Sequence, residues 1–149
     1  MQSPERSPGN SDTGTLADVF MTVARQVRRR QMHALEPMGI NPSQARALRA
    51  LARAGHPLRS GELAERLRIQ ARSGTDVIDG LEAGGLVRRE PDPADRRAVQ
   101  VELTPAGVEL AKQIGAAQRS ASAEFFAVLP ATEQEALRSL LDHLTEECQ

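Results

Sequence analysis

Ten residues constrain this chain more than any others: Asp95-Arg96-Arg97-Ala98-Val99-Gln100-Val101-Glu102-Leu103-Thr104, followed at once by Pro105. Val99, Val101 and Leu103 alternate with polar residues, the period-two pattern of a half-buried strand. Thr104-Pro105 then reads as a helix start, with an N-cap hydroxyl and a proline at the first helical position. Upstream, Leu86 to Glu90 reads as the partner strand and Pro91-Asp92-Pro93-Ala94-Asp95 as the turn, with Ala98 to Leu103 returning. A hairpin with two arginines at its tip suits a groove of nucleic acid.

The remaining chain must supply a body for this hairpin. Leu16, Val19, Phe20, Val23, Val27 and Leu35 keep helical spacing until Pro37, predicting a first long helix over 15–36. Asn41-Pro42 starts a second helix with Ala45, Leu48 and Leu51 inward, stopping at Gly55. His56-Pro57-Leu58 reads as a short extended connection. Ser60 to Leu67 predicts a two-turn helix burying Leu63, Ala64 and Leu67. After Arg68-Ile69, Gln70 to Ala83 predicts another, burying Val77, Ile78 and Leu81. Gly84-Gly85 closes it, one of the two in a left-handed cap. Two short helices tightly joined and then a β-hairpin form a winged helix-turn-helix pattern.

Beyond Pro105 a long helix carries Val108, Ala111, Ile114, Ala121, Phe125 and Val128 up to Pro130. A capping box from Thr132 to Glu135 is expected to open the last helix, with Leu137, Leu140, Leu141 and Leu144 on one side. The fold class is therefore mainly α with a small β-hairpin wing. Residues 41–104 are expected to form the DNA-binding unit and 15–36 and 105–147 the dimerisation helices. The outer helices are too apolar to stand free, and interleaving with a second copy is their simplest use. Residues 1–14, rich in Ser, Pro, Gly, Asn and Thr, are expected to form a disordered arm ahead of one domain over 15–149.

Composition excludes several classes. All 149 residues include one Cys, three Phe, no Trp and no Tyr. Stacking of bases on an aromatic platform is thus not expected, nor is a disulfide framework or a Cys-rich zinc site. His33, His56 and His143 are scattered, so no metal or other cofactor is expected. Apolar runs fall short of a membrane span and no signal peptide is visible, so the expectation is a cytoplasmic protein without membrane contact. No nucleophile–base pair or phosphate-cradling loop suggests an enzyme. The net charge of −1 argues against generic polyanion binding, yet it is uneven. Eight Arg face four acids in residues 1–58, whereas three bases face seven acids in residues 105–149.

Three segments in this order resemble the MarR family of bacterial transcription regulators. They are Ser60-Gly61-Glu62-Leu63-Ala64-Glu65-Arg66-Leu67, Leu81-Glu82-Ala83-Gly84-Gly85-Leu86-Val87-Arg88-Arg89, and the opening stretch. The last matches the family's wing pattern of Asp, any residue, Arg, three of any kind, Val, any residue, Leu, Thr. The resemblance runs from about Leu16 to Leu144. It implies a homodimer that binds double-stranded DNA, with the helix from Gln70 in the major groove and the hairpin in the adjacent minor groove. It also implies a regulator, usually a repressor, released from its operator by a small-molecule effector that the sequence does not identify.

On that basis Arg72, Ser73 and Thr75 are candidate contacts on the recognition helix and Arg96 and Arg97 on the wing, one reaching DNA and the other bracing the turn with Asp95 or Asp92. Arg88 and Arg89 are candidate phosphate contacts, as are Arg59 and Arg66. Asp95 is a candidate brace, and Val19, Val23, Phe125, Leu137, Leu140, Leu141 and Leu144 are candidate dimer contacts. Arg25 and Arg28 to Arg30 read as a solvated face or as ion pairs with the acidic C-terminal helix of a partner chain, in preference to an anion-holding wall of an effector pocket. Cys148 has no expected role. The helix departs from the family in Gly74 and Gly80, in the acids Asp76 and Asp79, and in Gln70, a poor N-cap. Those departures leave open a protein-interaction module with weak or lost DNA binding.

Overall fold

The computed structural model describes residues 14–147; the expected N-terminal arm, apart from Gly14, and Cys148 lie outside the described residues. Its elements in chain order are α1 (Leu16–His33), α2 (Pro42–Ala54), β1 (Leu58–Arg59), α3 (Ser60–Leu67), α4 (Ala71–Ala83), β2 (Val87–Asp92), β3 (Asp95–Leu103), α5 (Pro105–Phe126) and α6 (Ala131–Glu147). The architecture is mainly α with a small antiparallel sheet, as expected.

Side-chain caps explain where three of the six helices begin, at Thr15, Asn41 and Thr104. Asn41 Oδ1 accepts from Gln44 N at 2.9 Å while Gln44 Oε1 accepts from Asn41 N, a capping box with Pro42 in the first turn. Thr104 accepts from Gly107 N at 3.1 Å and donates to Gly85 O at 2.6 Å, so the start of α5 is tied to the end of α4. Gly55 and Gly85 take positive φ, ending α2 and the segment after α4 where only glycine is unstrained.

Three expectations at the helix ends are corrected. The first helix stops at His33, not at Pro37; Pro37 instead lies in a single 3-10 turn, Glu36–Met38, closed by left-handed Gly39. Leu35 therefore leaves the α1 stripe and drops into the core between α1 and α2, 2% exposed. The last helix starts at Ala131, so Thr132 is already helical and caps nothing. Pro130 O accepts from Glu133 N, and Gln134 Nε2 reaches back to Leu129 O at 2.9 Å. Val128 lies past the end of α5 and is 85% exposed.

The core belongs to the central lobe. Leu48, Leu51, Leu58, Leu63, Ile78, Leu81, Val87, Val101 and Ile114 are all buried. Leu58 belongs to a third strand that the connection 56–58 concealed: β1 pairs with β3, Leu58 opposite Val101, giving the order β1-β3-β2. Two residues are too few to show a period in sequence.

Glycines inside helices mark close approaches. A Cβ on Gly107 would collide with the backbone oxygen of Leu86. One on Gly74 would stand 3.0 Å from Ala64 Cβ. Gly74 is thus the contact at which α4 packs on α3, which offsets its poor helix propensity. Neither α1 nor α6 has a buried residue. Among the described residues no helix is long and apolar enough to cross a membrane.

Candidate nucleic-acid interface

Helix α4 packs inward through Gly74, Ile78 and Leu81. At 3.6 residues per turn the opposite side is the stripe Arg72, Asp76, Asp79 and Ala83, all exposed, with Ser73 and Thr75 on either flank. Thr75 Oγ1 donates to Ala71 O at 3.1 Å, so its hydroxyl proton is spent within the helix. Gln70 makes no side-chain cap, as its residue type predicted. The amides of the first turn are left free, and they favour an anion.

The strands β2 and β3 make the wing. Their register runs from Val87 opposite Leu103 to Pro91 opposite Val99, then jumps so that Asp92 faces Asp95. Arg96, Arg97 and Ala98 thereby fall in a bulge, beside a proline that has no N–H to donate to the ladder. The turn is shorter than the sequence suggested, with only Pro93 and Ala94 between the strands. Both arginines are exposed, and neither has a carboxylate partner among the described residues.

The expected division of labour between them, with one arginine bracing the turn, is not what braces it. Arg59 on β1 does so: its Nε donates to Asp92 Oδ2 at 2.7 Å, and Asp92 Oδ1 accepts from Ala94 N at 2.8 Å. Asp92 is 4% exposed, and its carboxyl is held below its ordinary range, first by the Ala94 amide and then by Arg59, against the cost of burial. Asp95 contributes a smaller brace, accepting from Arg97 N at 3.0 Å. The Arg59 pairing spans 33 residues, so no local pattern could have revealed it.

Three other expected phosphate contacts are already engaged. Along β2, alternate residues face opposite sides. Arg88 meets Glu102 directly across the ladder and pairs with it. Arg89 turns to the other side, where both Asp79 and Glu82 of α4 receive its guanidinium. The Asp79 hydrogen bond is the chief cause holding Arg89's pKa above its ordinary value, partly opposed by burial. Arg66 pairs with Glu62 one turn away at 2.8 Å. The acid at Asp79 therefore has a structural use: it fastens α4 to the wing. Asp76 has no such partner.

A helix-turn-helix whose second helix is clasped to a wing with unpaired basic side chains defines a winged-helix DNA-binding protein. Comparison with known proteins narrows the class. The sequence model of the MarR family matches residues 38–98. An HTH-type transcriptional regulator of Mycobacterium bovis is 36% identical over 134 residues, covering 89% of this chain and 92% of that protein. The HTH-type transcriptional repressor MdtR of Bacillus subtilis is 27% identical over 121 residues, covering 81% and 75%.

Wild-type MarR from Escherichia coli, in its apo form, superposes with a TM-score of 0.80 at 26% identity, covering 90% of this chain and 98% of that one. A MarR family protein of Mycobacterium tuberculosis in complex with salicylic acid gives 0.70 at 29%, covering 91% and 99%. The chain belongs to the MarR family and is a DNA-binding transcriptional regulator.

Proposed function

We propose that this chain is a homodimeric, ligand-responsive repressor of a pseudo-palindromic operator. Each protomer lays α4 in the major groove and the wing in the neighbouring minor groove, and half-sites lie about 10 bp or a multiple apart. The observation that carries this reading is the contrast among arginines around the wing. Arg59, Arg88 and Arg89 are neutralised by carboxylates, whereas Arg96 and Arg97, on a bulge at its tip, have no carboxylate partner among the described residues. A free guanidinium at a protruding tip suits the concentrated negative potential of a narrow minor groove. Arg72 and Ser73 contact base or phosphate from α4, with Thr75 limited to accepting.

The dimer reading rests on the outer helices. Leu16, Val19, Phe20 and Met21 of α1 and Leu140 and Leu144 of α6 are between 49% and 83% exposed in the single chain. Val23, Leu137 and Leu141 are half-buried beside them. Phe125 is the exception: it already packs edge-on against Phe126 at 5.1 Å and under Arg30 at 5.4 Å, so it contributes less to a partner. A two-fold interface of α1, α5 and α6 covers the rest. A small-molecule effector acts by preferring a dimer whose two α4 helices are wrongly spaced for the operator; a family neighbour crystallised with salicylic acid supports a small aromatic acid.

The test is a gel shift with upstream genomic DNA. Wild type binds at low salt and the Arg96→Ala, Arg97→Ala double variant loses at least tenfold. Equal binding by the two proteins removes the wing from the reading.

A further inference from the structure

Among the described residues, the positions with positive φ are glycine in every case but one: Gly39, Gly55 and Gly85, and then Arg68. Arg68 stands at φ 55° and ψ 45°, in the turn that joins α3 to α4. In this left-handed conformation a Cβ crowds the following carbonyl oxygen, a strain that glycine does not feel.

The turn holds Arg68 there from several sides. Its own N–H donates to Glu65 O at 3.0 Å, and Ile69 N donates to Ala64 O at 3.1 Å. The last carbonyl of α3, that of Leu67, accepts from Arg46 of α2. Buried Leu67 and half-buried Ile69 anchor the chain before and after it. The backbone therefore demands a left-handed residue, and glycine would meet that demand with less strain.

The arginine side chain gives no contact within the chain in return. It is exposed, and among the described residues it pairs with no carboxylate and covers no aromatic ring. Strained residues persist where their surroundings over-determine them, and they gather at binding sites. Arg72, the first residue of the outward stripe of α4, follows four positions later and also lacks a carboxylate partner among the described residues. Helical side chains lean toward the N-terminus, so Arg72 leans back toward the turn. Two unneutralised cations thus stand at the leading end of the helix assigned above to the major groove, the end that approaches the bases.

We propose that Arg68 is a DNA-backbone contact, its guanidinium taking one phosphate at the edge of the major groove where α4 enters. Such a contact sets the position of α4 on the duplex and reads no base. A planar guanidinium suits two oxygens of one phosphate. This contact rests on the placement of α4 in the major groove, and it adds a cation that belongs to neither the recognition helix nor the wing.

The test titrates the full chain and three variants against two probes, the upstream genomic fragment and a random-sequence duplex of the same length, between about 50 and about 200 mM salt. Arg68→Gln is expected to weaken both probes alike and to lower the slope of log affinity against log salt by about 1. Arg68→Lys keeps the charge and the wild-type slope. Arg68→Gly loses the same slope yet melts about 3 °C above wild type, because the strain is relieved. A chain made more stable and weaker-binding by one substitution is not the result of a merely structural role. The proposal is overturned if Arg68→Gln keeps the wild-type slope, if it weakens one probe and spares the other, or if Arg68→Gly melts below wild type. Preference of wild type for the upstream fragment is read separately. Its absence defeats the repressor reading and leaves the Arg68 slope on the random duplex standing, whereas an unchanged slope with that preference intact removes the Arg68 contact alone.

Discussion

Arg59 Nη2 lies 2.6 Å from Asp92 Oδ2, and this ion pair fastens the tip of the wing to the two-residue strand β1. The pair sets the direction in which Arg96 and Arg97 project, since both follow Asp92 within the same hairpin. Asp92→Ala is expected to leave the lobe folded, speed hydrogen exchange at the Ala94 amide and lower operator affinity several-fold. Unchanged exchange at Ala94 would show that the turn holds itself.

Acid should release the same brace. The Asp92 carboxyl is depressed in the folded chain, so its contribution is fully present above the ordinary carboxylate pKa of about 3.9. It fades as pH falls from there through the lower folded value. Protection of the wing amides, taken relative to their intrinsic exchange rates, should fall in wild type over that window, while in Asp92→Asn it stays flat.

Arg89 and the pair Arg96 and Arg97 should separate in salt dependence. Losing two phosphate-side cations lowers the slope of log affinity against log salt by about 2. Arg89→Ala is expected to leave that slope nearly unchanged and instead lower stability by about 1 kcal/mol, a modest value because the pair is part-exposed. Equal slope losses from both variants would place Arg89 on the DNA.

Asp76 sits at the centre of the outward stripe of α4, and among the described residues no cation pairs with it. Asp76→Asn is expected to raise operator affinity several-fold at low salt, with the gain shrinking as salt is added. Weaker binding by this variant would mean that the carboxylate accepts a hydrogen bond from a base, cytosine N4 being the suitable donor.

Gly107 and Gly80 should respond unequally to alanine. At Gly107 the new methyl meets the fixed backbone oxygen of Leu86, and a cost of at least 2 kcal/mol is expected in chemical denaturation. At Gly80 it stands 2.8 Å from Gln44 Nε2, and this amide gives way by loosening the long 3.3 Å capping contact of Gln44 Oε1 with Asn41 N. The expected change there is small, because helix propensity favours alanine by about 1 kcal/mol.

Much of the lobe was legible because its signals are local. Asn41-Pro42 and Thr104-Pro105 start helices where expected, Gly55 and Gly85 end segments, and Leu63, Leu67, Ile78 and Leu81 turn inward on their own periodicity. The misread boundaries have local causes too. Pro37 tolerates the first turn of a 3-10 helix as readily as it ends an α-helix, and Thr132 resembles an N-cap although Pro130 had already opened the helix. The site was legible as a list of arginines but not as a set of roles. Charge type is visible in sequence; whether a given arginine is spent on a carboxylate depends on residues up to 33 positions away.

The order of the helices, the wing and the apolar faces of the outer helices follow from side-chain patterns among a few neighbouring residues, whereas the two-residue strand β1 shows no such pattern. Packing decided which cations remain free. It spent Arg59 on Asp92, Arg88 on Glu102 and Arg89 on Asp79 and Glu82. It left Arg96 and Arg97 on their bulge and Arg68 in the left-handed turn before α4. Ion pairing is set by distance in space, and the packing of α2, α4 and α5 on the three-stranded sheet is what fixes those distances.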